Sequence, residues 1–325
     1  MTAPTLPRTK RDGRDGRGAN VGRGIRGRES DAAPRRSRTL GRRLQRPGAW
    51  FALPAAALLA IFFAYPLVTS LWQSFFATSG GVSSWVGFEQ YARLFSDPLI
   101  ATSLFNAGLI LIVQVPLMIG LAVGLAYLLN QSWLRFRSGF RLLTFLPAVT
   151  TLVAYAVVFR VMLATDGGAV NQLLDLVGIA PVDWLNNEWW ARVALIGAIT
   201  WRWTGYNMVI ILAGLQAIPG ELYEAARIDG AGRWQIFTRI VIPQLRPVLI
   251  FTTVTSTIGA LQLFDENWIL TEGGPNNATL TPVLYLYKVG FRQFDFGYAS
   301  AIAWMLVVIT AIIAIVQFRI MREKP

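Results

Sequence analysis

The sequence predicts an all-α polytopic membrane protein with six transmembrane helices, on three grounds. Hydrophobic residues make up 54% of the 325 and charged residues only 15%, more apolar surface than a soluble domain buries in one core. The apolar residues gather into windows of about 20, the length needed to cross the hydrocarbon of a bilayer. Between the windows, Lys and Arg alternate from rich loop to poor loop, the asymmetry that sets orientation across a membrane.

The chain starts with a segment unlike the rest. Arg8, Lys10, Arg11, Arg14, Arg17, Arg23, Arg26, Arg28, Arg35, Arg36, Arg38, Arg42, Arg43 and Arg46 precede the first apolar run, against Asp12, Asp15, Glu29 and Asp31. Rich in glycine and poor in large apolar residues, residues 1–46 are expected to form a disordered basic cytoplasmic tail, leaving 47–325 as the transmembrane domain. Most of the net charge of +12 therefore sits in one place. Beside a first span, such charge reads as topology and attraction to lipid headgroups. A nucleic-acid or anionic-lipid binder is the rival reading, and no nucleic-acid partner is expected.

The first apolar window runs from Trp50 to Leu71. A signal peptide also opens with a basic stretch, but this window is too long for one and further windows follow it. These are Ser103 to Leu129, Phe140 to Leu163, Ala191 to Ala217, a weaker Pro247 to Leu270, and Tyr298 to Gln317. Loop 72–102 has Arg93 alone, and loop 164–190 has no basic residue while carrying Asp166, Asp175, Asp183 and Glu188. Loop 130–139 has Arg135 and Arg137, loop 218–246 has Arg227, Arg233, Arg239 and Arg246, and the tail has Arg319, Arg322 and Lys324. The basic loops belong in the cytoplasm, which puts both termini there. Loop 271–297 is ambiguous, with Lys288 and Arg292 against Glu272 and Asp295. Trp184, Trp189 and Trp190 fit an aromatic belt at the outer interface.

Chemistry is limited by what is missing. The sequence has no cysteine and no histidine, which removes thiolate chemistry, the usual zinc ligands and the commonest general base at neutral pH. No catalytic residue, metal site or cofactor is expected, and a membrane enzyme is disfavoured. The lysines are Lys10, Lys288 and Lys324, none in a glycine-rich phosphate loop, so the sequence carries no nucleotide-hydrolysing motif of that kind.

The fourth and fifth windows carry polar groups that must face protein or water. The fourth holds Trp201, Arg202, Trp203, Tyr206 and Asn207. The fifth holds Thr252, Thr253, Thr255, Ser256, Thr257, Gln262, Asp265, Glu266 and Asn267. Helix-to-helix hydrogen bonding accounts equally well for the Thr and Ser residues. Gln262, Asp265 and Asn267 beside Arg202 point to a polar pathway, with Arg202 pairing with Asp265 or Glu266. Trp201, Trp203, Tyr206, Asn207, Gln262, Asp265 and Asn267 are the candidate pathway residues, since they combine planar hydrogen-bonding groups with aromatic faces. Packing or lipid contact is the competing explanation for the tryptophans.

The most informative stretch is loop 218–246. It reads Ile-Pro-Gly-Glu-Leu-Tyr-Glu-Ala-Ala-Arg-Ile-Asp-Gly-Ala from Ile218 to Ala231. Nothing breaks a helix from Glu221 to Asp229, and Gly230 can take the left-handed conformation that ends one. A second short helix is expected over Arg233 to Val241, stopped by Pro243. Taken alone, this helix-turn-helix is an interfacial amphipathic element outside the membrane.

Glu224-Ala225-Ala226, Asp229-Gly230-Ala231, Ile240 and Pro243, at this spacing, resemble the EAA loop of permeases of binding-protein-dependent ABC importers. Leu212-Ala213-Gly214-Leu215-Gln216, Leu270-Thr271-Glu272-Gly273-Gly274-Pro275 and Phe296-Gly297-Tyr298-Ala299-Ser300-Ala301 are similar to the first-subunit branch of carbohydrate permeases of the maltose and glycerol-3-phosphate type. The resemblance covers about residues 50 to 322. It implies the type I ABC importer permease fold, in a bacterial inner or plasma membrane, and import of a sugar or sugar derivative. It also implies that Glu224, Ala225, Ala226, Asp229 and Gly230 form a coupling helix gripped by an ATPase. The implied partners are a second permease subunit, two ABC ATPase subunits and an extracellular solute-binding lipoprotein. A secondary, ion-coupled transporter is the alternative, but it would need no coupling loop and no inverted repeat is visible.

Overall fold

The computed structural model describes residues 47–79, 82–131 and 133–321. The basic tail, residues 1–46, lies outside the described residues. The chain divides into an N-terminal unit ending at Ala56 and a larger unit from Ala57 onward. Of the first unit, only the helical start at Pro47 is described.

The described elements are almost all helical. The first apolar window forms a helix whose membrane-length portion is Ala52–Gln73. A two-stranded antiparallel hairpin follows, β1 (Phe76–Ser79) with β2 (Val82–Trp85), then a short helix α1 (Glu89–Ser96). The second window is a single helix, α2 (Pro98–Leu129). The Asp97 side chain caps it by accepting the Leu99 N–H at 2.8 Å, and Pro98 sits where no N–H is needed.

The third window is expected to be one rod. Instead α3 (Arg137–Val149) and α4 (Leu152–Met162) meet at 98°. The cause is local. Pro147 withholds an N–H from the last turn of α3, and Thr150 and Thr151 are extended, with ψ of 147° and 142°. Their hydroxyls stabilise the corner: Thr150 Oγ1 donates to the Pro147 carbonyl at 2.7 Å, and Thr151 Oγ1 accepts the Ala154 N–H at 3.4 Å.

After a small outer helix α5 (Ala169–Asp175) comes the long α6 (Glu188–Gln216), capped by Asn187, whose side chain accepts the N–H groups of Trp189 and Trp190. A bend of 69° separates it from α7 (Gly220–Ile228). The next helix corrects the sequence reading twice. It does not stop at Pro243 but runs from Arg233 through Leu261. A wide π turn, Phe237–Val241, lies just before Pro243 and contains Arg239, the residue whose carbonyl the proline ring would strike in a regular helix. The membrane portion, α8 (Ile242–Leu261), then ends nine residues before the expected Leu270, because Gln262 to Phe264 leave helical geometry and a separate α9 (Asp265–Leu270) begins. The chain closes with α10 (Pro282–Tyr287) and α11 (Phe296–Met321).

Among the described residues, four helices are long and apolar enough to cross a membrane, and the count reaches six when each bent pair is one span. Large apolar side chains such as Phe62, Ile112, Leu142, Leu143, Ile312 and Ile315 point outward, as lipid as solvent requires.

Contacts sort the loops to two ends. Asn276 Nδ2 donates to Glu188 Oε1 at 2.9 Å, Arg192 Nε to the Ala278 carbonyl at 3.0 Å, and Arg93 pairs with Asp295 at 2.8 Å. The ambiguous loop 271–297 therefore shares an end with loops 72–102 and 164–190. At the other end, Arg246 Nε donates to the Met321 carbonyl at 2.9 Å, bringing the close of α11 to loop 218–246.

The first of these ends is knotted around Asp97. Its carboxylate accepts hydrogen bonds from the hydroxyls of Tyr285 at 2.5 Å and Tyr298 at 2.7 Å, while the Arg93 guanidinium lies 3.8 Å over the Tyr298 ring. Burial alone would raise the Asp97 carboxyl. The Tyr285, Tyr298 and Leu99 donors, with Arg93, outweigh it and hold the group below its ordinary value.

Candidate functional site

The first helix and the turn of the elbow in loop 218–246 form as the sequence predicts, whereas the second helix runs on past Pro243. Glu221 sits in the first turn of α7 and Arg227 in the last, each matching the helix dipole. Gly230, with φ of +78°, ends the helix in the left-handed conformation. Two hydrogen bonds complete this close: Ala231 N–H to the Ala226 carbonyl at 2.9 Å and Gly230 N–H to the Arg227 carbonyl at 3.1 Å. The Gln235 side chain then accepts the Gly232 N–H at 2.9 Å and starts the next helix.

The elbow is anchored by a hydrophobic cluster. Ala226, Ile236, Val241 and Leu245 pack with Leu129 at the end of α2 and Leu215 at the end of α6. Phe237 meets the Tyr127 ring edge-to-face at 4.9 Å. Gly214 of α6 crosses α8 so closely that a Cβ there would lie 2.9 Å from Val248 Cγ2.

Of the residues that the sequence reading assigns to coupling, Glu224, Ala225, Asp229 and Gly230 are exposed on this elbow. Ala226 is not. It is 9% exposed and belongs to the cluster that fastens the elbow to the helices, so its small size serves internal packing. Ile228 and Trp234, exposed by 87% and 73%, project from the same element.

A cavity of about 410 Å³ lies among α2, α6, α8 and the start of α9, within the size range of small-molecule sites. Trp203, Tyr206, Asn207, Gln262 and Asp265 line it, together with Glu266. The Trp203 and Tyr206 rings stand edge-to-face at 5.9 Å, presenting two aromatic surfaces. Asn207, 4% exposed, is held by its own donation to the Trp203 carbonyl at 3.1 Å and accepts from Ser256 Oγ at 3.4 Å. Trp203 Nε1 donates to Glu266 Oε1 at 3.4 Å.

Two pathway candidates lie elsewhere. Trp201 is two residues from Trp203, so a helix of 3.6 residues per turn sends it to another face, where it packs on Phe159 at 5.3 Å and stacks near Tyr155 at 6.2 Å. Asn267 is fully buried and donates to the Thr279 carbonyl at 2.5 Å, fastening the loop after α9. The expected pairing of Arg202 with Asp265 or Glu266 is also absent among the described residues: the guanidinium Nη2 donates instead to the Thr150 carbonyl at 3.1 Å.

Sequence reasoning missed Gln114, which lines the cavity from the middle of α2 and is 2% exposed. A glutamine in the middle of a largely apolar span was the available signal, the same one that singled out the fourth and fifth windows.

Residues 117–322 match the family described as binding-protein-dependent transport system inner membrane component. The chain is 45% identical to the lactose transport system permease protein LacF of Rhizobium radiobacter, over 84% of this chain and 93% of that one. It is 38% identical to the arabinooligosaccharides transport system permease protein AraP of Halalkalibacterium halodurans, over 78% of this chain and 80% of that one. In fold it is similar to a chain of the crystal structure of a bacterial ABC transporter involved in the import of the acidic polysaccharide alginate. The TM-score is 0.76 at 23% identity, over 84% of this chain and 94% of that one.

Proposed function

This chain belongs to the family of binding-protein-dependent transport system inner membrane components, and from that premise we propose how it works as the permease of an ABC importer for a sugar or sugar derivative. Relatives named for lactose and arabinooligosaccharides support the solute class. The observation that carries the mechanism is that one hydrophobic cluster joins the exposed elbow to the inner ends of α2, α6 and α8, the helices that wall the cavity.

The energy comes from outside the chain. Two ABC ATPase subunits grip the elbow through Glu224, Ala225, Asp229 and Gly230, with Ile228 and Trp234 as apolar anchors. The two acids pair with basic residues of the ATPase. Closure of the ATPase pair moves the elbow as a rigid body and reorients the helices around the cavity, exchanging outward for inward access. The solute, delivered by an extracellular solute-binding lipoprotein, rests against Trp203 and Tyr206 and hydrogen-bonds to Asn207, Gln262 and Asp265. A second permease subunit completes the pathway on the face this chain leaves open.

In this orientation the elbow and the C-terminus are cytoplasmic, and the Asp97 knot faces outward. The ion-coupled alternative has nothing in its favour once the family is known. Purification of the detergent-solubilised assembly through this chain is expected to bring down an ATPase and a second permease. Recovery of the chain alone, or cross-links showing the elbow on the extracellular side, would overturn the mechanism.

A further inference from the structure

The fold does not settle which kind of saccharide is carried, because the alginate importer that shares it is named for an acidic polymer. The cavity wall does discriminate by charge. Its polar members are amides, hydroxyls, aromatic edges and two carboxyl groups, those of Asp265 and Glu266. Among the described residues, no Lys or Arg lines it.

The nearest cation in the neighbouring spans is Arg202, and its position matters. It is 5% exposed, its Nη2 is engaged by the Thr150 carbonyl, and its guanidinium lies 5.0 Å from the Tyr155 ring and 5.5 Å from the Trp203 ring. It is not part of the wall, although its charge acts on Glu266, which is. An anionic solute would therefore enter a partly dehydrated space whose wall offers no cation and carries the carboxyl groups of Asp265 and Glu266. A neutral saccharide has the opposite experience, since carboxylates accept hydrogen bonds from vicinal hydroxyls while Asn207 and Gln262 offer both donors and acceptors.

We infer that Asp265 and Glu266 make this cavity selective for uncharged saccharides over uronic or other acidic ones. The inference rests on the reading of the chain as a sugar permease, and it places a charge filter in the membrane subunit in addition to any choice made by the solute-binding lipoprotein. Such a filter works by negative selection, penalising the wrong solute more than it strengthens the right one.

The test uses the whole transporter in lipid nanodiscs without its solute-binding lipoprotein, so that only the membrane cavity selects. Saturation-transfer NMR measures weak binding of neutral disaccharides (lactose, maltose and cellobiose) against cellobiouronic acid, which matches cellobiose in size but carries one carboxylate. The bound neutral sugar is expected to hold at least about tenfold more tightly than the uronate, as like-charge repulsion in a low-dielectric site requires. In Asp265→Asn, an exposed position that does not challenge folding, and in the Asp265→Asn, Glu266→Gln double variant, the ratio is expected to fall stepwise towards about threefold or less. Equal binding of neutral and acidic sugars by the unaltered transporter overturns the inference while leaving the sugar reading standing, as does an unchanged ratio in both variants. Failure of every saccharide, neutral or acidic, to bind and to be taken up overturns the sugar reading itself and this inference with it.

Discussion

Arg202 Nη2 donates a hydrogen bond to the carbonyl oxygen of Thr150, 3.1 Å away, at the corner where the third apolar window turns through 98°. A backbone carbonyl released from a helix at membrane depth has no water to accept from, and this arginine supplies the donor. Arg202→Met is expected to lower stability by about 1 kcal/mol, the cost of losing a hydrogen bond to a partly buried acceptor. A charge-swapped Arg202→Glu, Glu266→Arg pair is expected not to restore it, because the partner is a backbone atom. Thermal unfolding of the singles and the double in detergent checks this, and recovery in the double would show that the two side chains pair after all.

Gly205 in α6 touches the backbone of α3, and a Cβ there would sit 1.7 Å from the Thr144 carbonyl oxygen. No side-chain rotation relieves that contact. Gly205→Ala is expected to destabilise the protein by about 1–3 kcal/mol, as overpacking does, and to lower its melting temperature in detergent. Gly197 of the same helix has open space at its Cβ position, so Gly197→Ala is the matched control and is expected to change little.

Gly230 has open space around it, so its requirement is conformational rather than steric. Its φ of +78° costs a β-branched residue more than an asparagine, which visits the left-handed region readily. Gly230→Val is expected to abolish ATP-driven uptake in proteoliposomes while the chain still reaches the membrane, and Gly230→Asn to retain much of it. Full uptake by the valine variant would count against the elbow as the point of coupling.

The Asp97 knot predicts a pH dependence. Because the folded protein holds this carboxyl below its ordinary 3.8, the contribution is fully present above that value and is lost as pH falls through the lower, folded value. The Tyr285 hydroxyl, raised by burial and then by its bond to Asp97, stays protonated and able to donate throughout. The melting temperature of the purified assembly is expected to fall on acidification into this window, and Asp97→Asn is expected to flatten that part of the profile.

Much of this architecture was legible in the sequence for one physical reason: lipid demands contiguous apolar windows, and windows can be read without knowing how they pack. The elbow was legible because its turn needs a glycine at one fixed place, Gly230, and its helix an unbroken run before it. What composition cannot convey is direction. Phe140 to Leu163 is apolar on average, yet Pro147, Thr150 and Thr151 turn it sharply, and averaging over a window hides three residues. Sidedness is lost in the same way: Trp201 and Trp203 read alike in sequence but lie on different faces of α6, and only the second reaches the cavity. Arg202 looked like half of an ion pair because side chains can be paired by eye, whereas a released carbonyl is invisible until the chain is folded.

The unbroken helix from Arg233 to Leu261 has a mechanical consequence. One close crossing lies at Val248, against Gly214, and taken as a fulcrum it leaves about 15 residues on one side and about 13 on the other, or roughly 20 Å per arm at 1.5 Å per residue. A beam pivoted near its centre returns at one tip what it receives at the other, with the direction reversed. A swing of about 10° would carry each tip through roughly 3.5 Å by the same arm length. Moving one tip of this helix by the width of an atom or two thus displaces Gly259 and Leu261, near the other tip, by a comparable step without unwinding any turn.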